Sequence, residues 1–568
     1  MKAYFEVFRK IAESGQYQSL KQWQIEKPTY FNWAKEVFED INLAEHPEKT
    51  ALIVANDNGS EQKLSYQTLA HQANQLLNFW RGNQIQQGQN VFIMVSICPE
   101  LWLTYLAAIK GGLVLIPTAN MMNVKDLEYR FNRLFPEIVV CEVENAEKFE
   151  QVEGLLGKKI PLKMLVNGKR AGWESFQAID SQAITSEVAK TKADDNLFLF
   201  FTSGTTGMPK VVAHTHLSYP FGHLSTAAWI GLKNQDIHFN ISQPGWAKFA
   251  WSSFFAPFNV TLFTFKQAGK FTAIPHLQAL EKYQITTFCA PPTVLRLLIL
   301  EDLEAYKFAL RECVSAGEPL NPEVINAWAK GTGLIIRDGY GQTESTALVY
   351  NLPHSKVKYG SMGQASFLYD IKIVDENGQE QPDLEEGHIA VQMTDNQVTG
   401  IFKEYFGEPE RRKEVVKQGL YYTGDKAYRD EDGYIWFVGR DDDVIKASDY
   451  RVGPFEVESI LIDFPEVVES AVVGSPHPIK GFEVKAFIIL HTDTLPSDAL
   501  AREIFLFCRK NLSPYKAPRI IEFVSELPKT ISGKIRRVEL RALEAQRKME
   551  KIAVQYEYHY HELVKNEA

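Results

Sequence analysis

Short apolar runs separated by amphipathic stretches set the rhythm of this 568-residue chain. Ala51-Leu52-Ile53-Val54 is short and rich in branched side chains, so it reads as a buried strand. Ser65, ahead of Tyr66-Gln67-Thr68-Leu69, is a helix N-cap whose hydroxyl can accept from a first-turn amide. Val91-Phe92-Ile93-Met94-Val95 is a second strand. A helix over Leu101–Ile109 then closes at Gly111-Gly112, and Leu113-Val114-Leu115-Ile116-Pro117 returns to strand. Strand, helix and strand at this spacing predict a doubly wound, largely parallel layer. The alternation resumes at Leu197–Phe201, at Ile285–Ala290 and at Val314–Ala316. Ahead of it, residues 1–45 predict amphipathic helix, with Val7, Ile11, Phe38 and Ile41 at helical spacing, forming a cap without chemistry of its own. Past residue 360 the pattern shifts to short β segments with turn dipeptides such as Asn377-Gly378 and Asp432-Gly433, which predicts a small β-subdomain.

The length predicts more than one domain. Hydrophobic content of 45% and charged content of 23% are ordinary for a soluble protein, and a net charge of -10 argues against a general nucleic-acid binder. Cys98, Cys141, Cys289, Cys313 and Cys508 form no ligand-spaced pair, which excludes a zinc motif and fits a reducing compartment. Glu6, Glu13 and Glu26 in the first thirty residues disfavour a secretory or transit peptide, and no window reaches the ~18 apolar residues of a membrane span. A cytoplasmic location is expected.

The strand at Leu197–Phe201 empties into Thr202-Ser203-Gly204-Thr205-Thr206-Gly207-Met208-Pro209-Lys210. Glycines let backbone amides approach anionic oxygens, hydroxyls add donors and the lysine adds charge, a composition suited to polyphosphate. The spacing is not that of the P-loop G-x-x-x-x-G-K-[ST], and Pro209 opposes a helix directly after the loop. Alone, such a loop is as readily a solvated turn. The loops at 317–319 and 339–344 also follow apolar strands, so one crevice at the strand ends can receive all three.

Further along stand Asp338-Gly339-Tyr340-Gly341-Gln342-Thr343-Glu344, Tyr422-Thr423-Gly424-Asp425, Gly439-Arg440-Asp441-Asp442-Asp443 and Pro528-Lys529-Thr530-Ile531-Ser532-Gly533-Lys534. In this order, with the 202–210 loop, they resemble the adenylate-forming superfamily of acyl-CoA synthetases, luciferases and peptide-synthetase adenylation domains. Phe31-Asn32-Trp33-Ala34 and Asp432-Gly433-Tyr434 look most like the medium-chain acyl-CoA synthetases. The resemblance implies an α/β fold: a large N-terminal domain of doubly wound mixed sheets with a β-subdomain (1–439), a hinge (440–443), and a small mobile α+β domain (444–568). It implies activation of a carboxylic acid by ATP and Mg2+ to acyl-AMP, then thioester formation with CoA.

Residue by residue, the resemblance assigns Thr202, Ser203, Gly204, Thr205, Thr206, Gly207 and Lys210 to the β- and γ-phosphates. Gly317, Glu318 and Pro319 match the adenine-binding turn, with Asp338, Gly339, Tyr340, Gly341 and Gln342 beside the base and Tyr340 stacking on it. Thr343 looks like an α-phosphate ligand, Glu344 like a Mg2+ ligand, and Asp425 like the acid that receives the ribose hydroxyls, with Arg440 supporting ribose or phosphate from the domain border. Lys534 matches the catalytic lysine that bridges carboxylate and α-phosphate, Asp442 the hinge, and Arg451 a residue near phosphate in one of two conformations. Gly341 stands where acetate-activating relatives carry tryptophan, so acetate is disfavoured; Trp246, Phe249 and Cys289 are candidate pocket walls, and medium-chain, branched and aryl acids remain open. After Ser448, on the thiol tunnel, the family's glycine is replaced by Asp449. That departure leaves the acceptor open between CoA and the phosphopantetheine arm of an acyl carrier protein.

Overall fold

Runs such as Val91–Val95 and Leu113–Pro117 are apolar along their whole length because the strands they form are covered on both faces. In the computed structural model, which describes residues 1–22, 26–202, 209–257, 260–394, 399–447, 450–477, 481–529 and 534–564, Asn90–Met94 and Val114–Pro117 are parallel neighbours in an eight-stranded sheet. Its order is 404–405, 210–215, 196–202, 114–117, 90–94, 138–141, 162–165, 174–175. A nine-stranded sheet runs 364–365, 347–350, 336–341, 312–316, 287–289, 237–240, 261–266, 50–56, 61–65, parallel through its middle and antiparallel at both ends. Both belong to a compact unit of Met1–Ile371 and Gln392–Leu420. This is the expected α/β architecture with mixed sheets.

The local signals act as read. Thr68 donates its amide to Ser65 Oγ at 3.1 Å, capping helix Tyr66–Gly82. Helix Pro99–Gly111 ends at Gly112, whose φ of 67° is left-handed and whose missing Cβ lets Gln87 and Thr191 close in. Residues 1–45 divide into helix Lys2–Ser14, a short 3-10 turn and a π-helical stretch Ala34–Leu43. The buried stripe of the first helix is Phe5, Phe8 and Ala12, whereas Val7 is 43% exposed. Phe5, which stacks on Phe31 and meets Phe221 edge to face, sets the register with Phe8 instead of the branched residues.

The second unit, Lys372–Val391 and Tyr421–Ala568, takes in most of a sheet built on 371–374, 387–392, 420–429 and 435–440. A six-stranded sheet follows, centred on Gly481–Leu490. Helices Pro454–Ile462, Asp498–Asn511 and Arg537–Glu550 complete the expected α+β C-terminal part. Residues 421–439 group with this unit because strand Ile435–Arg440 packs on helix Pro454–Ile462, Phe437 meeting Phe455 edge to face. Among the described residues no helix is long and apolar enough to cross a membrane.

The first unit buries several histidines. Burial pushes His216 and His238 down to about 3, below the unfolded value of about 6.5. Below that value the unfolded chain binds more protons, so their contribution to stability is full above it and is lost as pH falls toward 3. At pH 5.5 each should cost about 1.4 kcal/mol. Chemical unfolding at pH 7.5 and 5.5 checks this: the midpoint should drop, and His216→Asn should make the drop shallower.

Candidate active site

Strand alternation places Lys210, Val212 and His214 on one face of Lys210–Thr215. The outer two reach the turn after strand Ile336–Gly341. Lys210 Nζ lies 2.6 Å from Glu344 Oε1 and donates to the Tyr405 hydroxyl at 2.7 Å. That hydroxyl donates to the same Glu344 oxygen at 3.0 Å. His214 Nε2 donates to the Thr343 carbonyl at 2.6 Å. Tyr405 is aimed by backbone pairing, standing opposite Val212 in the antiparallel pair of 404–405 with 210–215. Phe402 N donates to the Glu344 carbonyl at 2.7 Å, and Phe406 N to Val211 O at 2.8 Å. One short segment thus grips Glu344 by backbone and by carboxylate, and ties it to the strand carrying Lys210.

The electrostatics follow from this contact. Burial alone would push the Glu344 carboxyl up, but the Lys210 ammonium and the Tyr405 hydroxyl hold it below the ordinary range. Burial and the neighbouring Glu344 push the Tyr405 phenol strongly upward, so it stays a donor. Burial lowers His214 to about 4, leaving a neutral ring whose N–H the Thr343 carbonyl takes. A buried, ionised carboxylate is a hard oxygen ligand, and magnesium commonly takes only one or two such groups beside phosphate and water. Glu344 fits that role. Glu522, Glu544 and Glu557 also gather, but the Lys485 ammonium sits among them, 2.8 Å from Glu522 and 2.6 Å from Glu544. Arg547 faces Glu522 and Lys548 faces Glu544 and Glu557, so three cations balance the three acids.

Strands Glu312–Ala316 and Ile336–Gly341 are parallel neighbours with Ala316 opposite Gly339, so the 317–319 and 342–344 loops emerge side by side. Gly317 has φ 104°, and Glu318 accepts from Thr293 Oγ1 at 2.7 Å and pairs with Arg296 at 3.1 Å. Pro319 follows, partly buried. Asp338 is buried, accepts from Gly339 N at 2.9 Å, and is held well above the usual carboxylate range by burial. Gln342 N donates to Ser345 Oγ at 3.0 Å. Thr202 pairs with Lys210 where strands Asn196–Thr202 and Lys210–Thr215 meet; Ser203, Gly204, Thr205, Thr206 and Gly207 lie outside the described residues.

Beside Gly341 the space is not empty. A Cβ there would overlap Trp251 Cη2 and the Thr346 carbonyl, so a tryptophan from residues 251–255 takes the room the glycine leaves. Phe249 is buried 5.6 Å from the Trp102 ring. Cys289 lies at the end of a central strand opposite Asn240 and Val314. Trp246 is partly buried and packs on the core of the eight-stranded sheet.

In the second unit, Asp425 stands opposite Arg440 across two strands. Each acid of the 441–443 run has a cation. Lys426 is 3.0 Å from Asp441, Arg440 is 3.2 Å from Asp442, and Arg541 and Arg537 face Asp443. Lys534 is exposed, in a loop closed by Arg536 N donating to Pro528 O at 2.8 Å. Arg451 lies in strand Tyr450–Val452, its side chain outside the described residues, as are Ser448 and Asp449. Tyr405 and His214 escaped the sequence reading. A lone tyrosine and a histidine on an apolar strand carry no motif, and only strand register joins them to Glu344 and Thr343.

The family model described as AMP-binding enzyme matches residues 39–406, and that described as AMP-binding enzyme C-terminal domain matches 456–534. The chain is 48% identical over 533 residues to 4-hydroxybutyrate–CoA ligase 1 of Metallosphaera sedula, covering 93% of each. It is 40% identical over 541 residues to the mitochondrial acyl-coenzyme A synthetase ACSM3 of Mus musculus, again covering 93% of each. Among solved structures it resembles the anthranilate CoA ligase AuaEII in complex with anthranoyl-AMP, with TM-score 0.83 and 30% identity, covering 92% of this chain and 99% of that one.

The packing at Gly341 gives a direct check. Gly341→Ala should displace Trp251, lowering stability by about 1–3 kcal/mol and shifting tryptophan emission. Unchanged stability and emission would mean that Trp251 is not held there.

Proposed function

The chain belongs to the AMP-binding enzyme family as an acyl-CoA synthetase, an AMP-forming acid–thiol ligase, and from that premise we propose that it activates a short- to medium-chain carboxylic acid with ATP and magnesium. The observation that carries this reading is the contact of Lys210, at the start of strand 210–215, with Glu344 in the turn after strand 336–341, beside the Thr343 carbonyl held by His214. Carboxylate attack on the α-phosphate brings two anions together and expels pyrophosphate, so it needs phosphate clamps and positive charge near phosphorus. Lys210 and the loop from Thr202 to Gly207 bind the β- and γ-phosphates; Thr343 binds the α-phosphate. The 317–319 turn and Tyr340 hold adenine. Asp425, helped by Arg440, takes the ribose hydroxyls. Magnesium, held by Glu344, neutralises phosphate charge when bound.

Lys534 is the proposed catalytic cation, delivered to the carboxylate and α-phosphate when the C-terminal domain turns about Asp442. In the second half-reaction CoA attacks the acyl-AMP carbonyl through its thiol, forming the thioester and releasing AMP. Ser448 and Asp449 flank the proposed thiol path, and Arg451 meets phosphate in one of the two states. Asp449 keeps a second reading alive, in which a phosphopantetheinyl carrier protein replaces CoA.

For the acid, Trp251 against Gly341 supports a pocket floored by indole, with Trp246, Phe249 and Cys289 as further walls. The relative named for 4-hydroxybutyrate supports a short chain, and the ACSM3 relative an acyl chain. Pyrophosphate release with a panel from acetate to decanoate, including 4-hydroxybutyrate and aromatic acids, with and without CoA, tests the whole reading. Turnover that depends on both acid and CoA supports it; a burst that CoA cannot turn over favours the carrier protein.

Two variants sharpen it. Lys534→Ala should slow adenylation by about 10²–10³-fold while leaving thioester formation from supplied acyl-AMP near wild type; equal loss of both halves would count against domain alternation. Trp251→Ala should move the kcat/KM preference toward longer acids by about tenfold or more, and an unchanged profile would remove Trp251 from the pocket.

A further inference from the structure

Lys210 and Glu344 cannot remain paired while one serves phosphate and the other a cation. Their side chains are 20% and 10% exposed and their charged atoms 2.6 Å apart. Breaking such a pair strands a charge in a poorly solvated site unless another ion replaces the partner. Nucleotide arriving without metal would draw Lys210 away and leave Glu344 facing phosphates. Nucleotide arriving with magnesium gives both groups new counter-ions in one event. Tyr405 is built to outlast the exchange. Its hydroxyl is bonded to both charges, it is 2% exposed, and its backbone is paired to the 210–215 strand. When Lys210 leaves, the O–H···O bond to Glu344 can persist.

We propose that the Lys210–Glu344 pair is a placeholder for magnesium nucleotide, and that Tyr405 is the positioning residue that holds Glu344 in place while Lys210 changes partner. This rests on the nucleotide reading of the site and adds to it an obligatory coupling between metal and nucleotide.

Calorimetric titration of the full chain with ATP, in magnesium and in EDTA, measures that coupling without turnover. Wild type should bind ATP about 10–100-fold more tightly with magnesium. Tyr405→Phe should cut this gain by about tenfold with affinity in EDTA near wild type. Glu344→Gln should abolish the gain and bind ATP in EDTA more tightly than wild type, because Lys210 is released. A wild-type magnesium gain in Tyr405→Phe overturns the positioning role, and metal-free affinity in Glu344→Gln no higher than wild type overturns the placeholder. Should the phenylalanine variant fail to fold, the glutamine variant alone decides. Wild-type protein that binds ATP under neither condition defeats the nucleotide reading itself, and this inference with it.

Discussion

A partly buried lysine–glutamate contact is the constraint on which this site depends. Lys210 begins a strand of the eight-stranded sheet and Glu344 stands in the turn after a strand of the nine-stranded sheet, and each would be costly to bury alone. Together, with Tyr405 bonded to both, they form a neutral cluster that the fold can carry before any ligand arrives. The His214–Thr343 bond repeats the tie four residues along the strand. These polar contacts between elements of the two sheets also bring an ammonium, a carboxylate and a threonine backbone into one neighbourhood.

The arrangement also explains why so much backbone pairing is spent on two residues. Glu404–Tyr405 is a minimal edge strand, yet Lys403 and Phe406 bond the 210–215 strand and Phe402 bonds Glu344. An edge of this length contributes little to sheet stability; its consequence is orientation, because it leaves the phenol no freedom to turn from the carboxylate. Trp251 against Gly341 follows similar logic on the side proposed for the acid, a large ring admitted by an absent Cβ.

Much of the architecture was legible in the chain. Uniformly apolar runs such as Val91–Val95 announced strands covered on both faces, and Ser65 and Gly112 marked helix ends through local chemistry that needs no tertiary context. The first helix was read with its stripe displaced, because Val7 and Ile11 share helical spacing with the aromatic residues that are actually buried. For the site, ordered motifs marked Lys210, Thr343 and Glu344 without telling that they touch. Tyr405 and His214 were invisible for a physical reason: their position relative to Glu344 and Thr343 is set by pairing between segments some two hundred and one hundred and thirty residues apart. Trp251 as the neighbour of Gly341 was likewise beyond reach, since an absent side chain says nothing of which residue packs there.

The most direct measurement is exchange of labelled pyrophosphate into ATP, without CoA, in the presence and absence of a carboxylic acid. Reversible formation of acyl-AMP predicts exchange that requires the acid and is lost in Glu344→Gln. Acid-independent exchange, or steady release of ADP and phosphate instead, would contradict the account at its centre.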